Sequence, residues 1–180
     1  MKIRIDHIKN KPYELTVEEP VENFPVLLQM QADGECVFRG KVAAEVAVER
    51  EFDHLRATGR VQVPVEFVCG RCLASYQSVI DSSFRIIFRK ESARQSSVED
   101  ETELCDEDLI ASTYDGDEID LTHELEELVA LGIPYKPLCG EGCQGLCPEC
   151  GADLNVSPCS CSRVPVNLKF SALKDFKVSR

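Results

Sequence analysis

The sequence predicts an α+β protein: an antiparallel, β-rich N-terminal part with a few short helices, followed by a C-terminal cysteine-rich module that binds zinc. Three observations carry this. Apolar and polar residues alternate with period two in several stretches between Val42 and Arg89, the pattern of strands with one buried and one wet face. One amphipathic stretch, Leu121 to Leu131, has helical spacing. Six cysteines then fall within the 23 residues from Cys139 to Cys161, in short chelating pairs.

Taken in order, Lys2 to Ile5 reads as a first strand, Lys9, Lys11 and Pro12 as a turn, and Val26, Leu27, Leu28 and Met30 as a short element docked on the core. From Cys36 to Lys90 the signal is β. Val42, Ala44, Val46 and Val48 share one face, and Val61, Val63, Val65 and Phe67 share another. Phe84, Ile86 and Phe88 repeat the pattern less cleanly. Pro64 has no N–H to give a ladder, so its strand is expected to have an edge or a bulge there. Cys69-Gly-Arg-Cys72 follows that strand, and Leu73 to Ile80 is again extended. The simplest geometry is a hairpin with the cysteine pair at its tip. Residues 1–90 are therefore expected to form a β-rich domain ending in this hairpin.

Residues 91–118 read as an acidic, mobile loop. Between Glu91 and Glu127 there are fifteen acidic residues and one basic, Arg94. Like charges at this density repel, and little apolar material is present to offset chain entropy. Residues 119–180 are expected to hold a helix, the zinc module and a basic tail, forming one compact unit with 1–90. Asp120 is placed to cap a helix starting at Leu121. Leu121, Leu125, Leu128 and Val129 form its inner face, Glu124, Glu126 and Glu127 a solvated face, and Gly132 and Pro134 end it. After Cys161, Val164, Val166, Leu168 and Phe170 alternate like a strand, and Leu173 and Phe176 suggest a last helix. This tail has five basic residues and one acidic.

The cysteine pairs are Cys69/Cys72, Cys139/Cys143, Cys147/Cys150 and Cys159/Cys161. Such spacings let two thiolates reach one ion from one tight turn, and a tetrathiolate site needs two pairs. Four pairs supply two sites. The favoured division puts Cys69, Cys72, Cys139 and Cys143 on one Zn²⁺ and Cys147, Cys150, Cys159 and Cys161 on another. A single site from Cys139, Cys143, Cys147 and Cys150 also satisfies the spacing, so one or two ions are expected. Closed all-cysteine sites are structural rather than catalytic. A disulfide framework fits a reducing compartment poorly, and a redox role for Cys69/Cys72 lacks the helix-opening context of such motifs. Cys36 and Cys105 have no partner at ligand spacing.

No apolar run approaches the roughly 20 residues of a membrane-spanning helix. The N-terminal Met-Lys-Ile-Arg-Ile-Asp lacks the apolar centre of a signal peptide. A cytoplasmic protein without membrane partners is expected. His7, His54 and His123 are isolated, and no phosphate-binding glycine loop or HExxH is present, so a non-enzyme is expected.

Cys69-Gly-Arg-Cys-Leu73, the helix ending before Pro134, and the run Gly145-Leu-Cys-Pro-Glu-Cys-Gly-Ala-Asp-Leu-Asn155 followed by Cys159-Ser-Cys161 together resemble the bacterial YceD family, the large ribosomal RNA subunit accumulation proteins. The resemblance covers most of the chain and is weak over residues 1–35. It implies a role in ribosome biogenesis, in the accumulation or processing of 23S ribosomal RNA. It also implies a metal module that stabilises rather than acts. Ala172-Leu-Lys-Asp175 looks like the family's ending, whereas residues 162–168 depart from it.

Two function classes follow. In the first, the chain contacts 23S ribosomal RNA or its precursor, with Arg71, Arg163, Lys169, Lys174 and Lys177 against phosphates, helped by Lys2, Arg4, Lys9 and Lys11. No aromatic-rich stacking signature points to base reading. In the second, the acidic loop docks a small basic protein of the large ribosomal subunit, making the chain an adaptor.

Overall fold

A computed structural model describes residues 1–8, 11–52, 54–91 and 111–161. Its centre is a hairpin of two long strands, β5 (His54–Val68) and β6 (Ser75–Lys90), in continuous antiparallel register from His54 opposite Arg89 to Val68 opposite Ser75. The six residues between them, Cys69 to Ala74, are the expected cysteine turn. Of the stretch expected to be extended from Leu73 to Ile80, Ser75 to Ile80 belongs to β6 together with the pattern at Phe84 to Phe88, while Leu73 and Ala74 lie in the turn.

Around the hairpin a six-stranded sheet assembles. β4 (Val42–Glu51) pairs with β5, and β2 (Tyr13–Glu19) pairs with β4, both antiparallel. The two-residue β3 (Val37–Phe38) also pairs with β5, and β7 (Ala111–Tyr114) pairs with β6 in parallel. A separate ribbon joins β1 (Lys2–Arg4) to β8 (Glu118–Asp120). Two helices lie among these, α1 (Pro25–Ala32) and α2 (Thr122–Leu131).

Period-two alternation puts Val42, Ala44, Val46 and Val48 of β4 and Val61, Val63, Val65 and Phe67 of β5 on one buried face. Phe24 and Leu27 from the α1 region, Ile119 from β8, and Leu121, Leu125 and Val129 from the α2 region complete the same core. Residues of 1–90 and of 119–129 thus share one hydrophobic cluster.

Three expectations change, and the one for Pro64 holds in part: on one side of it the ladder is broken, with residues 39–42 opposite 63–64, although the strand is not at an edge. β5 is interior, and its pairing passes from β4, ending at Gln62, to β3, starting at Val65. Pro64 sits in that gap, where no ladder donor is needed, and its carbonyl accepts the Arg39 N–H at 2.9 Å. The loop expected over 91–118 is shorter at its end, because β7 and the start of β8 occupy part of it; residues 92–110 lie outside the described residues. The helix after Asp120 starts at Thr122 with Leu121 at the N-cap. Asp120 still serves it, since its carboxylate accepts the Thr122 N–H at 2.9 Å. Finally, Glu126 is not on a solvated face. It is 6% exposed and its carboxylate accepts the Val26 N–H at 2.5 Å. Val26 is in the first turn of α1, whose N-cap Phe24 offers no side-chain acceptor. A carboxylate on α2 therefore caps α1, where the helix dipole favours negative charge.

Candidate metal centres

The sheet places the first cysteine pair. Cys69 leaves β5, its N–H donates to the Ala74 carbonyl at 2.9 Å, and the Leu73 N–H returns to the Cys69 carbonyl at 2.9 Å. The second knuckle repeats this turn. The Cys147 N–H donates to the Ala152 carbonyl at 2.8 Å, and the Gly151 N–H to the Cys147 carbonyl at 2.8 Å. In both, the residue after the second cysteine has positive φ: Gly151 at 72° and Leu73 at 61°. Glycine adopts this region freely, whereas leucine is disfavoured there by roughly 1–2 kcal/mol. Leu73 is also 65% exposed, so little packing is lost on truncation. Leu73→Gly should therefore raise the denaturant midpoint by a small amount, on the order of 0.5–1 kcal/mol after the added freedom of the unfolded chain is counted. A lowered midpoint would show that the leucine side chain contributes more than its backbone costs.

α2 ends at Gly132, and the chain returns along the hairpin to its tip. The Gly70 N–H donates to the Pro137 carbonyl at 2.8 Å, which brings Cys139 and Cys143 to the first knuckle. The eight cysteines fall into two groups, Cys69/Cys72/Cys139/Cys143 and Cys147/Cys150/Cys159/Cys161, and within each the sulfurs all lie within 4.8 Å of one another. The alternative set of Cys139, Cys143, Cys147 and Cys150 is split between the groups. Cys69, Cys72, Cys143 and Cys147 are buried, Cys139 and Cys150 exposed.

The sulfur spacing tests whether a metal fits. Cys69 Sγ is 3.8 Å from Cys143 Sγ, and Cys72 Sγ is 3.7 Å from Cys139 Sγ. A disulfide needs about 2.05 Å. A tetrahedron with metal–sulfur arms of about 2.3 Å has edges of about 3.8 Å. The first group has the dimensions of a tetrathiolate site.

Charge points the same way. The amides of Cys72, Cys139 and Arg71 face the Cys69 sulfur and hold its pKa down to about 6. The amides of Cys150 and Glu149 do the same for Cys147, also about 6. In contrast, neighbouring sulfurs, Cys143 first, push Cys139 up to about 12, and Cys150 foremost pushes Cys161 up to about 12. Each knuckle prepares one thiolate, and crowding resists ionisation of Cys139 and of Cys161. A cation among four sulfurs removes that conflict, which is why such ligands deprotonate on metal binding.

Arg71, expected at a phosphate-binding surface, is exposed at the hairpin tip. Its Nη1 donates to the carbonyls of Cys143 at 2.9 Å and Glu141 at 3.3 Å, and its own carbonyl accepts the Leu146 N–H at 3.0 Å. It clamps the first knuckle to the loop that supplies Cys143. Arg163, Lys169, Lys174, Lys177 and Lys9 lie outside the described residues, as does Cys105. Lys2, Arg4 and Lys11 are exposed, with Arg4 paired to Asp6 at 3.2 Å. Cys36 is buried beneath the sheet, where loss of water pushes its thiol up to about 11. The histidines stand on separate elements: His7 against Tyr13, His54 beside Glu51, and His123 on α2 at 4.0 Å from Glu127.

Sequence reasoning missed Asp153 and Asn155 as parts of the site. Asn155 Oδ1 accepts the Gln144 N–H at 2.7 Å, and its Nδ2 lies 3.6 Å from Cys143 Sγ. Asp153 orients it, accepting from its backbone N–H at 2.9 Å and its Nδ2 at 2.7 Å. An Asx-x-Asx pair just after a knuckle was the available signal.

The family model described as large ribosomal RNA subunit accumulation protein YceD matches residues 57–177. An uncharacterised protein of Mycobacterium tuberculosis is 32% identical over 114 residues, covering 63% of this chain and 52% of that protein. Large ribosomal RNA subunit accumulation protein YCED homolog 1, chloroplastic, of Arabidopsis thaliana is 29% identical over 141 residues, covering 68% of this chain and 44% of that protein. The protein of the same description in Zea mays is 28% identical over 149 residues, covering 68% and 49%. The chain spans about half the length of the curated relatives it matches. No solved structure matches.

Proposed function

The chain belongs to the YceD family, whose model matches β5 through the cysteine-rich module, and from this we propose that it is a non-catalytic ribosome biogenesis factor supporting accumulation or processing of 23S ribosomal RNA. The observation that carries the reading is the family match, which spans all eight paired cysteines. The names of the two plant relatives point to the same large-subunit RNA. The work is placed in the cytoplasm, where thiols stay reduced. Among the described residues no helix is long and apolar enough to cross a membrane.

The proposed metal is zinc, two ions per chain, held by Cys69, Cys72, Cys139 and Cys143 and by Cys147, Cys150, Cys159 and Cys161. Bound zinc supplies charge neutralisation and a cross-link, not an open coordination position. The protein's part is to present preformed knuckles at the end of a rigid hairpin. RNA contact is assigned to Arg71 and to Arg163, Lys169, Lys174 and Lys177, which would neutralise phosphates without reading bases. Among the described residues no feature favours the adaptor reading, in which the acidic loop holds a basic ribosomal protein.

The test is ultraviolet crosslinking of the tagged chain in living cells, together with the ratio of 23S to 16S ribosomal RNA after its removal. A focused crosslink on 23S RNA or its precursor, with a fall in the ratio restored by the wild-type gene, is the expected result. An unchanged ratio would overturn the proposal. A fallen ratio with no crosslink above background would remove direct RNA contact from it.

A further inference from the structure

The two cysteine centres are joined by more than the chain between them. Asn155 lies between Cys150 and Cys159, within the second centre's span, yet its side chain belongs to the first. Its Nδ2 points at Cys143 Sγ at 3.6 Å, and its Oδ1 holds the amide of Gln144, next to that cysteine, at 2.7 Å. Around it the backbone is pinned. The Leu154 N–H donates to the Gly145 carbonyl at 3.0 Å, and Leu146 bridges Asp153. Gly145 has φ 72°, and a Cβ there would lie 3.0 Å from the Arg71 carbonyl, so the junction is closed tightly against the first knuckle. The segment carrying Asn155 has almost no hydrophobic core of its own: Val156 is 82% exposed, and no residue from 148 to 161 is buried. A segment of this kind depends on its metal for order.

We propose that the two centres load metal cooperatively, with Asn155 as the positioning residue that couples them; the inference rests on the metal-binding reading above. Metal at Cys147, Cys150, Cys159 and Cys161 closes the 147–161 loop. That fixes Asn155, which gives the Cys143 sulfur an N–H donor and holds the Gln144 amide. A donor to a ligating thiolate tunes and orients it, as outer-shell partners of metal ligands do. Occupation of the first centre fixes Cys143 and Gln144 in turn, and linkage requires the same factor in both directions.

The test uses the full chain, reduced and stripped of metal, titrated with Co²⁺ alone against a competing chelator. Sulfur-to-cobalt charge-transfer absorbance reports occupancy. Cys150→Ser with Cys161→Ser leaves only the first centre, and Cys72→Ser with Cys139→Ser leaves only the second. Each surviving centre is expected to bind Co²⁺ about 5–150-fold more weakly than in the intact chain, by the same factor in both variants. Asn155→Ala should keep both centres but bring that factor close to one. It should also shift the ¹¹³Cd resonance of the Cys143 centre, which a purely structural residue elsewhere in the loop would not do. Equal affinities with and without a competent neighbour would overturn the coupling while leaving the metal sites standing. Failure of the intact chain to take up Co²⁺ would overturn both.

Discussion

Cys69→Ser is expected to cost the chain one of the two metal ions proposed for it and to lower its thermal midpoint by roughly 10 °C. Cys69 is fully buried at the point where β5 becomes the first knuckle. Its sulfur faces Cys143 from the far loop at 3.8 Å. A structural zinc contributes an apparent ~10–16 kcal/mol to the module it folds. Losing one of four ligands at a closed site forfeits a share of that, about 3–5 kcal/mol. For a chain of this length, one kcal/mol corresponds to about 2–4 °C. Serine leaves a hydroxyl where the amides of Cys72, Cys139 and Arg71 face a thiolate, and it cannot ionise to meet them. The check is a melting curve with a metal count on the same sample. Two bound ions and an unchanged midpoint would remove Cys69 from the site. Cys147→Ser should act more locally. Faster hydrogen exchange is expected from 144 to 161, while the β5–β6 ladder stays protected, because 23 of the buried residues form a separate core beneath the sheet.

Glu126→Ala is expected to destabilise the fold by about 1–4 kcal/mol, although Glu126 touches neither centre. Its carboxylate is the acceptor for the Val26 N–H in the first turn of α1. Removing a charged acceptor from this part-buried donor costs about 1–3 kcal/mol, and the lost interaction with the helix dipole adds up to about 1 kcal/mol. The shift should propagate, because Leu27, the next residue of α1, is fully buried in the core. Glu126→Gln keeps an acceptor and should recover more than half of the loss. Urea unfolding of the three proteins decides it. If alanine and glutamine cost the same, the hydrogen bond is not the source of the stability.

The pair of predictions marks what was legible in the sequence. The cysteine pairs could be read because chelation is local: two thiols within four residues share a turn whatever the fold around them. The hairpin beneath them followed from alternation in Val61 to Phe67. By contrast, Glu126 looked like a surface residue beside Glu124 and Glu127, and its burial depends on a helix start 100 residues earlier in the chain. β2 was missed because it is a half-buried edge strand with no fully buried residue to sharpen its alternation. β7 and β8 are too short to show a period, and they exist through pairing with β6 and β1. The form of the interruption at Pro64 is hidden for the same reason. The sequence shows that its donor is absent, while the gap between β3 and β4 that tolerates the absence is tertiary. Asn155 could be seen as part of a motif, but its contact with Cys143 required the second knuckle to be folded back on the first.

The most direct measurement of the account is zinc X-ray absorption on the full chain purified without added metal, with the zinc content of the same sample. Two zinc ions per chain, each with four sulfur neighbours at about 2.3 Å, is the predicted result. One ion per chain, oxygen or nitrogen in the coordination shell, or cysteines recovered as disulfides would contradict the two tetrathiolate centres on which the reading of the knuckles is built.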